Sequence, residues 1–259
     1  MGKECRNEGM SECKVKEMKK TGIFIFSCYY WFAIFFFALL MFPLAFLVWI
    51  LTVSFDRRLR LLHQFTCLWS DATFRMNPLW RVQITGIDKV DRSGTYIIVS
   101  NHQSGADVMV LFKMYIHFKW VAKRSLFQVP LIGWSMSLNR YLALERSSSG
   151  SMRKMIRDAS RYLAGRNSLM IFPEGSRSRD GAIKPFKTGA FHIALETGTP
   201  ILPVAIHGTS RAIDPRGFLI LPNKDIRLEV LDPIPIRGYH DLDPKSLAEL
   251  VHDRIADAL

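Results

Sequence analysis

Charge is what the first quarter of this chain lacks. Residues 21–55 contain no Asp, Glu, Lys or Arg, and residues 23–51 are almost wholly Phe, Ile, Leu, Ala, Trp and Tyr. About 20 such residues suffice to cross a bilayer. The apolar part of a signal peptide is much shorter, and no small-x-small cleavage site follows the run. A core helix of a soluble domain would not be aromatic-rich on every face over this length. The run therefore reads as membrane-embedded. Cysteine is scarce too: Cys5, Cys13, Cys28 and Cys67 form no CxxC pair. That excludes a disulfide framework, argues against a zinc site and fits a reducing compartment. Internal repeats and low-complexity linkers are absent. With 49% hydrophobic and 22% charged residues, the chain of 259 is too apolar to be disordered.

The basic residues outnumber the acids, 35 to 23, for a net charge of +12. Almost all of that excess lies between Lys113 and Lys187, where 15 Lys or Arg face four acids. Such a surface meets something anionic: phospholipid headgroups, nucleic acid, or a phosphate-bearing or acidic partner. A solvated face kept for solubility is the plain alternative. Both flanks of the apolar run are basic as well, with Lys14, Lys16, Lys19 and Lys20 before it and Arg57, Arg58 and Arg60 after it. One basic flank would orient a simple span. Two favour a helical hairpin bent at Pro43, with a single tilted span as the alternative. The chain thus divides into a charged tail (1–20), a membrane helix or helical hairpin (21–60) and one folded domain (61–259).

That domain alternates short β-branched runs with helical patterns. Residues 96–100, 168–172 and 201–206 read as buried strands, the last at a sheet edge or bulge because of Pro203. Residues 226–230 alternate like a half-exposed strand. Helices are expected over 106–117, 151–164, 188–197 and 245–258. The result is an α/β class, with a mixed, largely parallel sheet flanked by helices.

Three polar blocks follow strands, where α/β sheets place their ligands. In the first, Asn101-His102 precedes Asp107 by a short loop. Histidine titrates near neutral pH and can take a proton from an attacking hydroxyl, while a carboxylate on its second nitrogen fixes the tautomer. An incidental His beside a capping Asp is the competing reading. No Gly-x-Ser-x-Gly elbow surrounds Ser104, so no serine nucleophile is evident. The second block is Phe172-Pro173-Glu174-Gly175-Ser176-Arg177-Ser178. Gly175 permits a tight turn, and Arg177 offers a planar fork suited to phosphate. The third runs from Arg140 to Glu145-Arg146, as a strand ending in a second guanidinium or as a surface ion pair. His207 follows a strand and is a weaker candidate.

These blocks, in this order, resemble the lysophosphatidate (1-acyl-sn-glycerol-3-phosphate) acyltransferase family of the glycerolipid acyltransferases. Asn101, His102 and Asp107 match its Asn-His-x4-Asp. Residues 172–178 match Phe-Pro-Glu-Gly-Thr-Arg-Ser except at Ser176, and 202–206 are similar to its Val-Pro-Val block. The second family block ends in Ile-Asp-Arg, where this chain has Leu144-Glu145-Arg146. The resemblance covers about residues 80–235. It implies a thioester donor, on coenzyme A or acyl carrier protein, and a lysophosphatidate acceptor taken from membrane phospholipid metabolism. His102 would be the general base and Asp107 its partner. Asn101, Lys123, Arg146, Glu174, Gly175, Ser176 and Arg177 would bind the substrate. No metal and no resident cofactor is implied. The active site would face the cytoplasm, where thioesters are made, at the inner or an endomembrane. Another lysophospholipid or a lyso-aminolipid is the alternative acceptor, a membrane-bound thioesterase or a non-catalytic scaffold the alternative role. Nucleic acid is not an expected partner: no recognition module accompanies the basic residues.

Overall fold

The computed structural model describes residues 10–144, 149–178, 181–214 and 218–259. Seven strands form one sheet in the order β1-β7-β6-β2-β5-β3-β4. They are β1 (Trp80–Thr85), β2 (Ile97–Ser100), β3 (Phe118–Lys123), β4 (Leu142–Leu144), β5 (Ser168–Ile171), β6 (Ile201–His207) and β7 (Asn223–Val230). β6, β2, β5, β3 and β4 are mutually parallel, and β7 joins β6 antiparallel with β1 parallel to it. The carboxyl ends of five strands therefore share one edge.

Alternate residues feed opposite faces, as the strand period requires. Ile98, Met170, Leu202 and Ile206 pack on Tyr30 of α1 (Met10–Thr52), Cys67 and Phe74 of α2 (Arg60–Arg75) and Val110 and Leu111 of α3 (Ala106–Phe112). Ile97, Val99, Leu169, Ile201 and Ala205 pack on α5 (Ser149–Ala164), α6 (Gly189–Thr197) and α7 (Pro244–Ala256), through residues such as Leu163, Phe191 and Val251. The mixed sheet between helical layers is the one the sequence pattern predicts.

Several expectations need correction. The apolar run is one uninterrupted helix, α1, with Pro43 inside it. A proline removes a single amide donor, and a helix in an apolar medium keeps the rest of its ladder because nothing else can satisfy it. The chain reverses later, between Thr52 and Leu59, where Leu59 takes φ 55° and the Asp56 carboxylate accepts from the Leu61 amide at 2.7 Å. The tail assigned to residues 1–20 lies outside the described residues over 1–9, and from Met10 onward it is already α1. The helix expected over 106–117 stops at Phe112, and β3 begins at Phe118.

Pro203 is not at an edge, since β6 has neighbours on both sides. Its carbonyl accepts from the Leu231 amide, and Ile201 pairs with Ile234. From Val204↔Val230 to Ile201↔Ile234 the register slips by one residue, so the strand opposite carries a bulge beside Pro203, as the proline suggests, and the donor it lacks falls at that irregularity.

Candidate active site

The site is built where β2 and β5 end. His102 Nδ1 lies 2.7 Å from Asp107 Oδ2, and the same oxygen accepts from the amides of Gln103 (2.7 Å) and Ser104 (2.8 Å). Two amides already donate to that oxygen, so the imidazole must present Nδ1–H to it as well, which assigns the tautomer. Asp107 is fully buried at the start of α3, while the His102 side chain keeps 17% of its surface. The nitrogen left over, Nε2, is the one available to a reactant.

The ring of His102 lies flat on Phe172, with centroids 3.9 Å apart and planes 10° apart. Phe172 in turn meets Trp120 at 5.4 Å. Phe172, just past β5, and Trp120 of β3 thus make an aromatic floor beneath the imidazole.

Glu174 is buried, and its two oxygens accept from the His102 amide (2.6 Å) and the Lys184 amide (3.2 Å). The Ser178 amide donates to the His102 carbonyl at 2.8 Å. Burial pushes the Glu174 carboxyl above the ordinary range, against the pull of those amides. Asn101 is equally committed: its amide donates to the Ile206 carbonyl and accepts from the Ile206 amide, both at 2.8 Å. Both residues are expected to face substrate; in the structure their side chains are hydrogen-bonded to backbone, each buried where a main-chain group would otherwise go unpaired.

Arg177 and Ser176 are exposed beside this loop. The Arg177 guanidinium reaches within 3.9 Å of where a side chain on Gly105 would begin. Gly175 takes φ +74°, and a Cβ there would stand 3.0 Å from Lys187 Nζ. Lys184 Nζ donates to the Arg177 carbonyl at 2.7 Å and approaches Ser176 Oγ at 3.4 Å. Arg177, Lys184 and Lys187 thus gather three cations beside the His102–Asp107 pair. The two lysines carry no signal in the sequence. Their spacing after Arg177 carries no pattern until the loop folds back on Glu174.

Lys123 ends β3 on the same edge, yet among the described residues it makes no hydrogen bond or ion pair with the His102 loop. Arg146 and Glu145 lie outside the described residues. His207 ends β6 on the α7 side of the sheet, with Gln83, Thr85, Arg227 and Glu229 lining a shallow cleft there. That is the face away from Phe172. Among the described residues no group of His, Cys, Asp and Glu could hold a metal ion.

Comparison with known proteins agrees with this architecture. The family model described as Acyltransferase matches residues 81–207. The chain is 35% identical over 182 residues to the 1-acyl-sn-glycerol-3-phosphate acyltransferase BAT2, chloroplastic, of Brassica napus, covering 70% of this chain and 52% of that one. It is 31% identical over 159 residues to the 1-acyl-sn-glycerol-3-phosphate acyltransferase of Haemophilus influenzae, covering 61% of this chain and 65% of that one. The chain spans about half the length of its plant relatives from Brassica napus and Arabidopsis thaliana (52% and 51%). In fold, it is similar to the crystal structure of the 1-acyl-sn-glycerophosphate (LPA) acyltransferase PlsC from Thermotoga maritima. The TM-score is 0.78 at 22% identity, over 92% of this chain and 95% of that one. The matched residues enclose both the His102–Asp107 pair and the Glu174–Arg177 turn, so the part of this chain that is similar to the acyltransferase model and to these relatives is the part that carries the site.

Proposed function

We propose that this protein transfers a fatty acyl group from a thioester, acyl-CoA or acyl carrier protein, to the sn-2 hydroxyl of 1-acyl-glycerol-3-phosphate. The observation that carries the reading is the 2.7 Å contact between His102 and Asp107, set beside Arg177. His102 Nε2 takes the hydroxyl proton as the oxygen attacks the thioester carbonyl. The C–S bond breaks, and the proton returns to the departing thiolate. Asp107 keeps Nδ1 protonated and stabilises the imidazolium that forms in between. Arg177, Lys184 and Lys187 receive the acceptor's phosphate, a dianion that a neutral mouth would not hold. The names of the relatives support this acceptor. The departures at Ser176 and Glu145 make another lysolipid the second reading. The apolar helix α1 keeps the enzyme where such acceptors reside, with the site on the cytoplasmic side.

The test is an acyl-transfer assay on detergent-purified protein. It pairs acyl-CoA or acyl carrier protein with lysophosphatidate, lyso-phosphatidylethanolamine and a lyso-aminolipid. Transfer to lysophosphatidate, lost in His102→Ala, is expected. Transfer that survives His102→Ala sinks the mechanism, and transfer only to another lysolipid replaces the acceptor. Thioester loss without any acceptor makes the protein a hydrolase.

A further inference from the structure

After α2, five large apolar side chains stand exposed among the described residues: Leu126, Val129, Ile132, Trp134 and Phe218. Four of them fall within nine positions, on the 3-10 turn Arg124–Gln128, the link after it and α4 (Ile132–Leu138), and Ile132 and Trp134 are at least half exposed (55% and 50%). Scattered single hydrophobics need no explanation, but a cluster does. The fifth, Phe218, already packs on Phe24 and Trp31 of α1.

The cluster is continuous with α1. The Trp134 ring lies 5.5 Å from that of Phe42, and Phe42, Phe46 and Trp49 line one groove with Trp134, Leu138 and Arg140. Phe42 lies well inside the helix, which ends at Thr52. A bilayer that covers the exposed α1 surface at Phe46 and Leu47 must therefore reach Trp134 as well. Lys123 and Arg124 precede the apolar cluster and Arg140 follows it, all three exposed. Cations bounding an apolar surface match the boundary between hydrocarbon and anionic headgroups.

We propose that the turn Arg124–Gln128 and α4 form a second membrane-inserting element. Leu126, Val129, Ile132 and Trp134 dock into the acyl region of the bilayer beside α1, and Lys123, Arg124 and Arg140 lie at its phosphates. This rests on reading α1 as membrane-embedded and not on the reaction. The element joins β3 to β4, so its insertion holds the carboxyl edge of the sheet, where His102 lies, against the headgroups. A bilayer-resident acceptor then reaches the site without leaving the membrane.

The test uses the full chain in vesicles of phosphatidylcholine and phosphatidate. Cys5, Cys13 and Cys28 are changed to Ser, the buried Cys67 is kept, and an environment-sensitive fluorophore is placed on Ile132→Cys. A label on Glu249→Cys in α7 reports water, and one on native Cys28, exposed on α1, reports the membrane helix. The label at 132 should be quenched several-fold more by nitroxide lipids than the one at 249, and several-fold less by iodide. Iodide access at 132 equal to that at 249 overturns the proposal. If the Cys28 label is equally wet, the membrane reading of α1 falls with it. If Cys28 stays shielded, the second element alone is wrong. In the functional arm, the double variant Leu126→Ser, Ile132→Ser should lose about tenfold in rate on long-chain lysolipid in vesicles. It should keep its rate on a monomeric short-chain acceptor, and equal loss on both counts against the proposal. A chain that turns over neither acceptor still gives the labelling result, so failure of the assigned reaction is distinguishable.

Discussion

Two histidine clusters share the core beneath one face of the sheet, and they are built in opposite ways. At the edge, His102 has a carboxylate on one nitrogen and a free face for the other. Inside, His63 is fully buried, with Nδ1 3.3 Å from the Tyr141 hydroxyl and Nε2 3.0 Å from the Ile116 carbonyl. Among the described residues no carboxylate touches it. Its neighbours are His117 and Lys119, and Lys119 Nζ donates to the Asn139 carbonyl at 2.9 Å. Burial holds His63 far below the ordinary imidazole range, and the nearby His117 and Lys119 push the same way. Burial likewise takes His117 to about 4 and Lys119 to about 7. A continuous path of rings joins the clusters, from His102 through Phe172, Trp120 and Phe118 to His63. The two histidines are therefore distinguished by one buried anion and one open nitrogen at His102, the features the proposed base requires.

The strongest way to break that contrast is to remove the anion. Asp107→Asn should lower kcat by about a thousandfold or more, since the tautomer is no longer fixed and the imidazolium loses its partner. Steady-state kinetics on a variant with unchanged circular dichroism checks this, and a loss under tenfold would make Asp107 only a cap of α3. Next in size is the aromatic floor. Phe172→Leu keeps an apolar side chain but loses the flat face, and should cost about tenfold in kcat with acceptor KM unchanged. Phe172→Tyr should restore most of it. If both variants behave alike, the stack does not orient His102. Arg177→Lys should raise acceptor KM by about fivefold through loss of the planar fork, and leave donor KM alone. A parallel rise for the donor would assign the residue to the thioester's phosphates.

The smallest effect concerns the inner cluster. His63 and His117 have depressed values in the fold, so the unfolded chain binds their protons first as pH falls below 6.5. Their stabilising contribution is complete above 6.5 and is lost progressively toward pH 4. Lys119 acts in the alkaline window, because the folded chain releases its proton near 7 and the unfolded one near 10.5. Stability should rise with pH between those values. Melting temperature in detergent should thus climb from pH 5 to 6.5, by a few degrees per kcal/mol, and Lys119→Met should flatten the alkaline rise. A melting temperature independent of pH would mean that water reaches the cluster.

Much of this could be read in advance where the pattern is local. The cores of β2, β5 and β6 are plain apolar runs, and helices α5, α6 and α7 begin or end within three residues of expectation. The pairing of His102 with Asp107 follows from one short loop. Other parts depend on contacts distant in sequence. β3 carries Lys119 and Lys123, and a lysine in a central strand reads as surface until its ammonium is seen on the Asn139 carbonyl. β4 has only three residues and carries little pattern. Glu174 reads as a ligand for substrate because its partners, the amides of His102 and Lys184, are invisible in sequence.

Asn101 has a further consequence. Its side-chain amide takes both of Ile206's main-chain groups, as a peptide unit of the neighbouring strand would. The lateral pairing of the sheet is thus continued by a side chain one residue past the end of β2. The main chain is released early from the ladder, and His102 can turn its N–H and C=O to Glu174 and Ser178 instead. A carboxamide is what this counterfeit rung requires, because it carries a donor and an acceptor at matching reach. The residue beside His102 is a splice between two strands, and it decides where the sheet stops and the His102 loop begins.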